Sequence, residues 1–244
     1  MVREPFNLVL DEVRDIAPGV KHFAFEREDG DELKFIPGQF VQILFGTSES
    51  PVRRSYSIAS RPGIERTIDV AVSAVVDGFA TDRFWAMKPG DTVKALGPFG
   101  RLVLRDEPAT RYLLVATGTG VTPYRAMLPD IARRLDESSQ DISLMLGVRT
   151  RADLLYGDEF IAFAEEQPRF RFTAHYSRGL PDDAQPWEKQ GYVQHAFDGE
   201  GLNPETDVVY LCGNPNMIDE AMLWLTGRGF TAQRVRREKY ISGS

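Results

Sequence analysis

Between Arg53 and Ser60 the chain reads RRSYSIAS, which sets two guanidinium groups, a phenol ring and three hydroxyls along a segment otherwise patterned as a β-strand with Ile58 toward a core. Residues two apart share a strand face, so Arg54 and Tyr56 point one way and Ser55 the other. Arg54 can fork onto a pyrophosphate, the Tyr56 ring can lie along a planar heterocycle, and Ser57 at the strand's edge can reach a ring nitrogen. Taken alone, the stretch reads equally as a solvated strand face carrying one aromatic. Further along, DGFATDRF places Gly78, Phe79, Ala80 and Thr81 where a helix begins. The free N–H groups and dipole of a helix start make a second anion seat.

A further set of candidates follows the apolar runs of the later half. In VATGTGVTP, Thr117, Gly118, Thr119, Gly120, Thr122 and Pro123 come directly after one such run and before a helical pattern. Glycines there let backbone N–H groups approach a phosphate. Pro123 stands where a GxGxxG turn has its third glycine, and a tight strand-to-helix connection would look the same. YLCGNPNM sets Cys212 and Gly213 at the end of another run. A lone buried cysteine is most often a small core residue; its pairing with the first glycine turn is what singles Cys212 out.

These residues need two different scaffolds. From Phe6 to about Leu104, short alternating segments such as FNLVLDEV, QFVQILF and IDVAVSAV are punctuated by glycine and proline. They read as antiparallel strands closed into a small barrel, because closure removes exposed edges. One helix, ATDRFWAMK, starts near Thr81 and must stop before Pro89. Beyond the charged connector RDEPATR, the runs YLLVATG, DISLMLGV, FRFTAHYS and DVVYLCG are nearly continuously apolar, as strands covered on both faces are. They alternate with helical TPYRAMLPDIARRLDE, kinked at Pro129, GDEFIAFAEEQ and NMIDEAMLWLTGRG. That alternation implies right-handed crossovers and a parallel sheet whose ligand edge lies beyond the carboxyl ends of its strands. The expected fold is an antiparallel β-barrel over residues 1–106 followed by a parallel α/β nucleotide-binding domain over residues 110–244.

Composition bounds the chemistry. The 244 residues are 42% hydrophobic and 27% charged, ordinary globular content and enough chain for two modest domains. A formal net charge of -7 argues against binding nucleic acid or an anionic membrane, which needs a broad positive field. Cys212 is the only cysteine, which leaves no disulfide framework, cysteine-built zinc site or four-thiolate iron–sulfur cluster on this sequence. His22, His175 and His195 are not at ligand spacing, so no metal is expected. No apolar run approaches the ~20 residues of a spanning helix, so a soluble, cytoplasmic protein is expected.

RRSYS, GFAT, ATGTGVTPYRAM and LCGNPNM, in that order, resemble the ferredoxin–NADP reductase family of flavoproteins, and the resemblance runs from FIPGQFV at Phe35 to the tail. It implies a barrel that binds FAD and a parallel α/β domain that binds NADP or NAD. It also implies hydride exchange between nicotinamide and flavin, with single electrons passed to or from a protein such as ferredoxin or flavodoxin. Carried onto this chain, it puts the flavin-motif arginine at Arg54, the stacking tyrosine at Tyr56, the serine beside the flavin's reactive nitrogen at Ser57, and a phosphate seat at Gly78 to Thr81. Thr117 to Pro123 would carry the coenzyme's pyrophosphate, and Cys212 would flank the nicotinamide. Ser57 and Cys212 are then positioning and polarising groups, since the flavin itself carries the redox chemistry.

The resemblance also places a Ser-Arg pair, Ser177 and Arg178 in AHYSRG, at the adenosine 2′-phosphate. A guanidinium with a hydroxyl suits a dianionic phosphate, whereas a ribose diol asks for an acidic partner. Serine at this position also occurs in NAD-using relatives, so NADP is favoured and NAD stays open. Tyr192 matches an aromatic that stacks on adenine, and Arg149 adds charge. Near the end, EKY resembles a flavin-covering aromatic, with Tyr240 over the ring and Glu238 a hydrogen-bond or proton partner; four residues follow it, and a surface tail is the competing reading. An acidic carrier asks for a basic rim, for which Arg53 and Arg61 are candidates. The reductase component of an oxygenase, or a free flavin or quinone reductase, fits the same scaffold. A non-catalytic nucleotide-sensing module would leave the co-occurrence of RRSYS and GFAT unexplained.

Overall fold

A computed structural model of the chain describes residues 4–46 and 51–240, so the four residues after Tyr240 lie outside the described residues. The chain falls into two compact units, one built on residues up to Leu104 together with Thr122–Pro129, the other on Arg105–Val121 together with residues from Asp130 onward.

The first unit is a six-stranded antiparallel sheet. Its strands are β1 (Phe6–Ala17), β2 (Val20–Arg27), β3 (Phe40–Gly46), β4 (Pro51–Ser57), β5 (Ile68–Ser73) and β6 (Thr92–Phe99), ordered β4-β3-β6-β1-β2-β5. Its two edges meet through an isolated antiparallel bridge between Ile58 and Val70, which closes the barrel just past β4. Strand β3 shows the alternation that makes the core: Val41, Ile43 and Phe45 are buried and the residues between them are not. Helix α1 (Phe79–Ala86) caps that core with Phe84, whose ring centroid lies 4.8 Å from that of Phe23.

Helix α1 begins two residues earlier than the position expected near Thr81. Gly78 is its N-cap, and the Thr81 hydroxyl accepts from the Val75 N–H (3.0 Å) and so fastens the loop before the helix. A Cβ at Gly78 would sit 2.8 Å from the Val75 carbonyl oxygen, which is why glycine stands there.

The second unit is a parallel sheet of β7 (Arg111–Thr117), β8 (Asp141–Val148), β9 (Phe170–Tyr176), β10 (Glu188–Gln190), β11 (Asp207–Gly213) and β12 (Val235–Lys239), ordered β10-β9-β8-β7-β11-β12. Strand β11 is buried along its whole length, as an interior parallel strand must be. Helices α4 (Gly157–Glu166) and α5 (Pro215–Gly227) fall where the sequence predicts them. The helix predicted to kink at Pro129 is two helices, α2 (Thr122–Ala126), which is counted with the first unit, and α3 (Leu128–Glu137). Proline lacks an N–H and crowds the carbonyl four residues back, so the break falls ahead of it and Pro129 sits in the first turn of α3, where a missing donor costs nothing. Edge strands β10 and β12 were not predicted; β12 runs through residues read as a tail. Among the described residues no helix is long and apolar enough to cross a membrane.

Candidate functional site

In the first unit, β4 pairs with β3 so that Arg54 lies opposite Ile43 and Tyr56 opposite Val41. Cross-strand partners share a face, so both side chains stand on the core side of the sheet, and each is only half-buried. The Tyr56 ring meets Phe84 edge-on, with centroids 5.1 Å apart at 78°. Burial pushes its phenol up to about 12, against a small opposing effect of Arg54, so the hydroxyl stays neutral at working pH. Arg54 donates to the Arg53 carbonyl (3.1 Å) and makes no ion pair among the described residues. Ser57 is buried at the strand end. Gly78 has no side chain with which to cap α1, which leaves the first-turn N–H groups of Phe79, Ala80 and Thr81 open to an acceptor. An anionic group with a flat ring fits this donor set.

The segment that follows Ser57 is clamped by a buried charge cluster that sequence reasoning missed. Arg125 of α2, only 3% exposed, donates to the Ala59 carbonyl (2.8 Å) and to Glu65 Oε1 (3.1 Å) and lies 3.7 Å from Asp69 Oδ2. His22 Nε2 is 3.3 Å from the same Asp69 oxygen, while Asp69 Oδ1 is buried with no partner. Ser60 Oγ accepts from the Asp69 N–H at 2.7 Å. Arg61, a candidate for an exposed basic rim, is instead paired with Glu65 (2.9 Å), which offsets its charge. The one sequence signal for this cluster was an arginine inside TPYRA, a run whose residues are all buried.

In the second unit, β7 ends at Thr117 and a 3-10 turn, Gly118–Val121, follows. The turn packs backbone to backbone against the end of β11. A Cβ at Gly213 would lie 2.6 Å from the Thr117 carbonyl oxygen, one at Gly120 would collide with the Cys212 carbonyl, and the Asn214 N–H donates to Thr117 Oγ1 at 2.9 Å. Those two glycines are therefore required by the crossing of two chain segments. Gly118 is different: it has a positive φ of 51° and open space beside it. Thr119 is partly exposed next to it. Thr122, ahead of Pro123, is counted with the first unit, and its hydroxyl is buried without a partner. A glycine turn with open space beside it, between a strand and a helix, fits a phosphate-bearing ligand.

Cys212, Glu238 and Tyr240 come together at one end of β11. Cys212 pairs with Glu238 in the β11–β12 register, and the Tyr240 N–H donates to the Gly213 carbonyl at 2.8 Å. The thiol is fully enclosed. Burial pushes it well up and the Glu238 carboxylate adds to this, while a hydrogen bond with Tyr240 opposes them, so the sulfur stays protonated. At the end of β9, the Ser177 N–H donates to the Val148 carbonyl and the Arg178 N–H to the Arg149 carbonyl, both at 3.0 Å. The Arg178 side chain is exposed. Arg149 is paired with Asp153, which Thr150 also contacts, while its side chain stays about half exposed. Tyr192 is 59% exposed, edge-on to His195.

Comparison with known proteins agrees with this division. A family model described as an oxidoreductase FAD-binding domain matches residues 7–104, and one described as an oxidoreductase NAD-binding domain matches residues 114–222. The chain is 35% identical to ferredoxin–NADP reductase B of Sorangium cellulosum, over 97% of this chain and 98% of that protein. It is 28% identical to the toluate 1,2-dioxygenase electron transfer component of Pseudomonas putida, over 98% of this chain and 68% of that one. It shares its fold with a ferredoxin NADP+ reductase from Neisseria gonorrhoeae solved with bound FAD and NADP (TM-score 0.82, 23% identity, 98% of this chain and 99% of that chain). Fold, glycine turns and matched domains define a flavin-dependent nicotinamide-nucleotide oxidoreductase. The chain belongs to the ferredoxin–NADP reductase family.

Proposed function

We propose that the protein moves electrons between NADP(H) and a small one-electron carrier of the ferredoxin or flavodoxin class, by way of FAD, in the cytoplasm. The observation that carries this reading is the end-to-end similarity to a ferredoxin–NADP reductase at 35% identity. The flavin supplies the ability to take a hydride and give up its electrons one at a time.

In this reading Arg54 and the first turn of α1, Gly78 to Thr81, hold the flavin's pyrophosphate, Tyr56 lies along its ring, and Ser57 donates toward the ring's reactive edge. Thr117, Gly118, Thr119, Gly120, Thr122 and Pro123 seat the coenzyme's pyrophosphate. Ser177 and Arg178 hold its 2′-phosphate and Tyr192 its adenine, with Arg149, paired to Asp153, adding charge nearby. Cys212 acts as a neutral, shape-defining wall at the nicotinamide, with Gly213 letting the chain turn beside it. Glu238 and Tyr240 border that wall. Positioning of this kind substitutes for a bimolecular encounter, worth about 7–11 kcal/mol at most. A second reading, the reductase of an oxygenase, is supported by the similarity to the toluate dioxygenase component.

Purified protein should be yellow and should bleach under NADPH without oxygen. Acceptor assays with ferredoxin, flavodoxin, cytochrome and free flavin, each with both coenzymes, separate the readings. NADPH-driven turnover of ferredoxin or flavodoxin about tenfold above free flavin is expected; a preference for NADH, or for free flavin, would overturn the proposal.

A further inference from the structure

Residues 178–187 run from Arg178 through turns to the three-residue edge strand β10, and an ionic frame holds them. Glu188, whose side chain is wholly enclosed, accepts on Oε1 from Arg151 Nε (2.6 Å) and the Tyr176 hydroxyl (2.6 Å). On Oε2 it accepts from Arg151 (2.5 Å) and the Gln185 N–H (2.7 Å). The remaining arm of Arg151 donates to both oxygens of Asp183, at 2.8 and 3.0 Å. One guanidinium therefore ties the middle of the segment, at Asp183, to its end, at Glu188. Glu188 in turn grips Tyr176, the residue just before Ser177.

Stability alone is a weak reason for this frame. A buried ion pair often adds no more than apolar side chains of the same volume would, because removing charge from water is expensive. What a bidentate fork does supply is a fixed distance and angle. The element that needs fixing is adjacent. Arg178 is exposed, makes no ion pair among the described residues, and precedes Gly179, which has a positive φ of 107° and empty space around it. Gly179 adds no restraint of its own to the chain carrying that guanidinium, so restraint falls to the backbone bonds of Ser177 and Arg178 and to the frame beyond.

We propose that Arg151 and Glu188 are positioning residues for coenzyme discrimination: they hold the Ser177–Arg178 turn where it meets the 2′-phosphate. This rests on the reading of Ser177 and Arg178 given above. The test is the ratio of kcat/KM for NADPH to that for NADH in the FAD-loaded protein. Three variants serve: Glu188→Gln, Asp183→Asn, which alters an exposed carboxylate and spares folding, and Arg178→Ala as reference.

We expect the ratio to fall about tenfold in Glu188→Gln and about threefold in Asp183→Asn, chiefly through a higher KM for NADPH. A merely structural role would move both coenzymes together. If both frame variants keep the parental ratio while Arg178→Ala lowers it, the proposal is overturned and the reading of Arg178 survives. If Arg178→Ala affects the two coenzymes equally, the underlying reading fails instead. Should Glu188→Gln not fold, Asp183→Asn decides by the same ratio.

Discussion

Asp69 in the first unit and Glu188 in the second are both carboxylates taken out of water beside an arginine, yet they are satisfied very differently. Asp69 has one oxygen with no partner, and beyond that it is held by His22 at 3.3 Å, by Arg125 at 3.7 Å and by the Thr67 side chain. Every bond to Glu188 is 2.7 Å or shorter, and both of its oxygens are used. Burial pushes the Asp69 carboxyl up, but hydrogen bonds from His22 and Thr67 and the nearby charges hold it below the usual range. The Arg151 fork, followed by the Tyr176 hydroxyl and the Gln185 N–H, overcomes burial to bring Glu188 down to about 2. Desolvation is a cost common to both; the number and closeness of donors decides whether the charge is merely tolerated or used as a strut. Asp69 belongs to the first kind, as one member of a balance in which Arg125 is the central cation, and Glu188 to the second.

The largest effect should come from breaking that balance. Arg125→Ala strands Asp69 and leaves Glu65 with Arg61 alone, and should cost about 4 kcal/mol in denaturant unfolding of the holoprotein; a loss below about 1 kcal/mol would mean Arg125 is not the cation on which the cluster depends.

Next is His175, which pairs with Lys189 across β9 and β10 beside Glu188. Burial, and then the charges of Lys189 and Arg171, bring it down to about 4. Its folded value lies below the unfolded one of about 6.5, so its contribution is intact above pH 6.5 and is lost as pH falls toward 4, by about 3 kcal/mol in all. His175→Asn should flatten the acid limb of the stability profile, and an unaltered limb would remove His175 as its source.

A smaller effect, a melting temperature about 5 °C lower, is expected for Glu188→Gln, because an amide cannot accept from all of its present donors. Asp69→Asn should cost only about 2 °C, since it relieves desolvation while giving up long contacts. If Asp69→Asn proved the more damaging of the two, the contrast between balance and strut would be inverted.

The sequence made the two scaffolds legible where burial follows a local period. Alternation in β3 and continuous apolar runs such as β11 both write their environment into neighbouring letters. Strand β12, VRREK, does not: it is a strand because it lies alongside β11, a pairing between segments more than twenty residues apart that local pattern cannot express. The shared face of Arg54 and Tyr56 followed directly from a period of two. Arg151 and Glu188 were invisible, because a charged residue is spelled the same in solvent as in a buried frame and only tertiary packing separates the cases. Arg149 lies between these extremes. Its partner Asp153 stands four residues on, a spacing available to inspection.

The enclosure of Cys212 has a practical side. A sulfhydryl that is both hidden and kept protonated offers alkylating reagents and peroxide no thiolate to attack. Since no other cysteine competes for label, the rate at which native protein takes up a thiol probe becomes a clock for transient parting of the β11–β12 edge, read from a single atom without any engineered reporter.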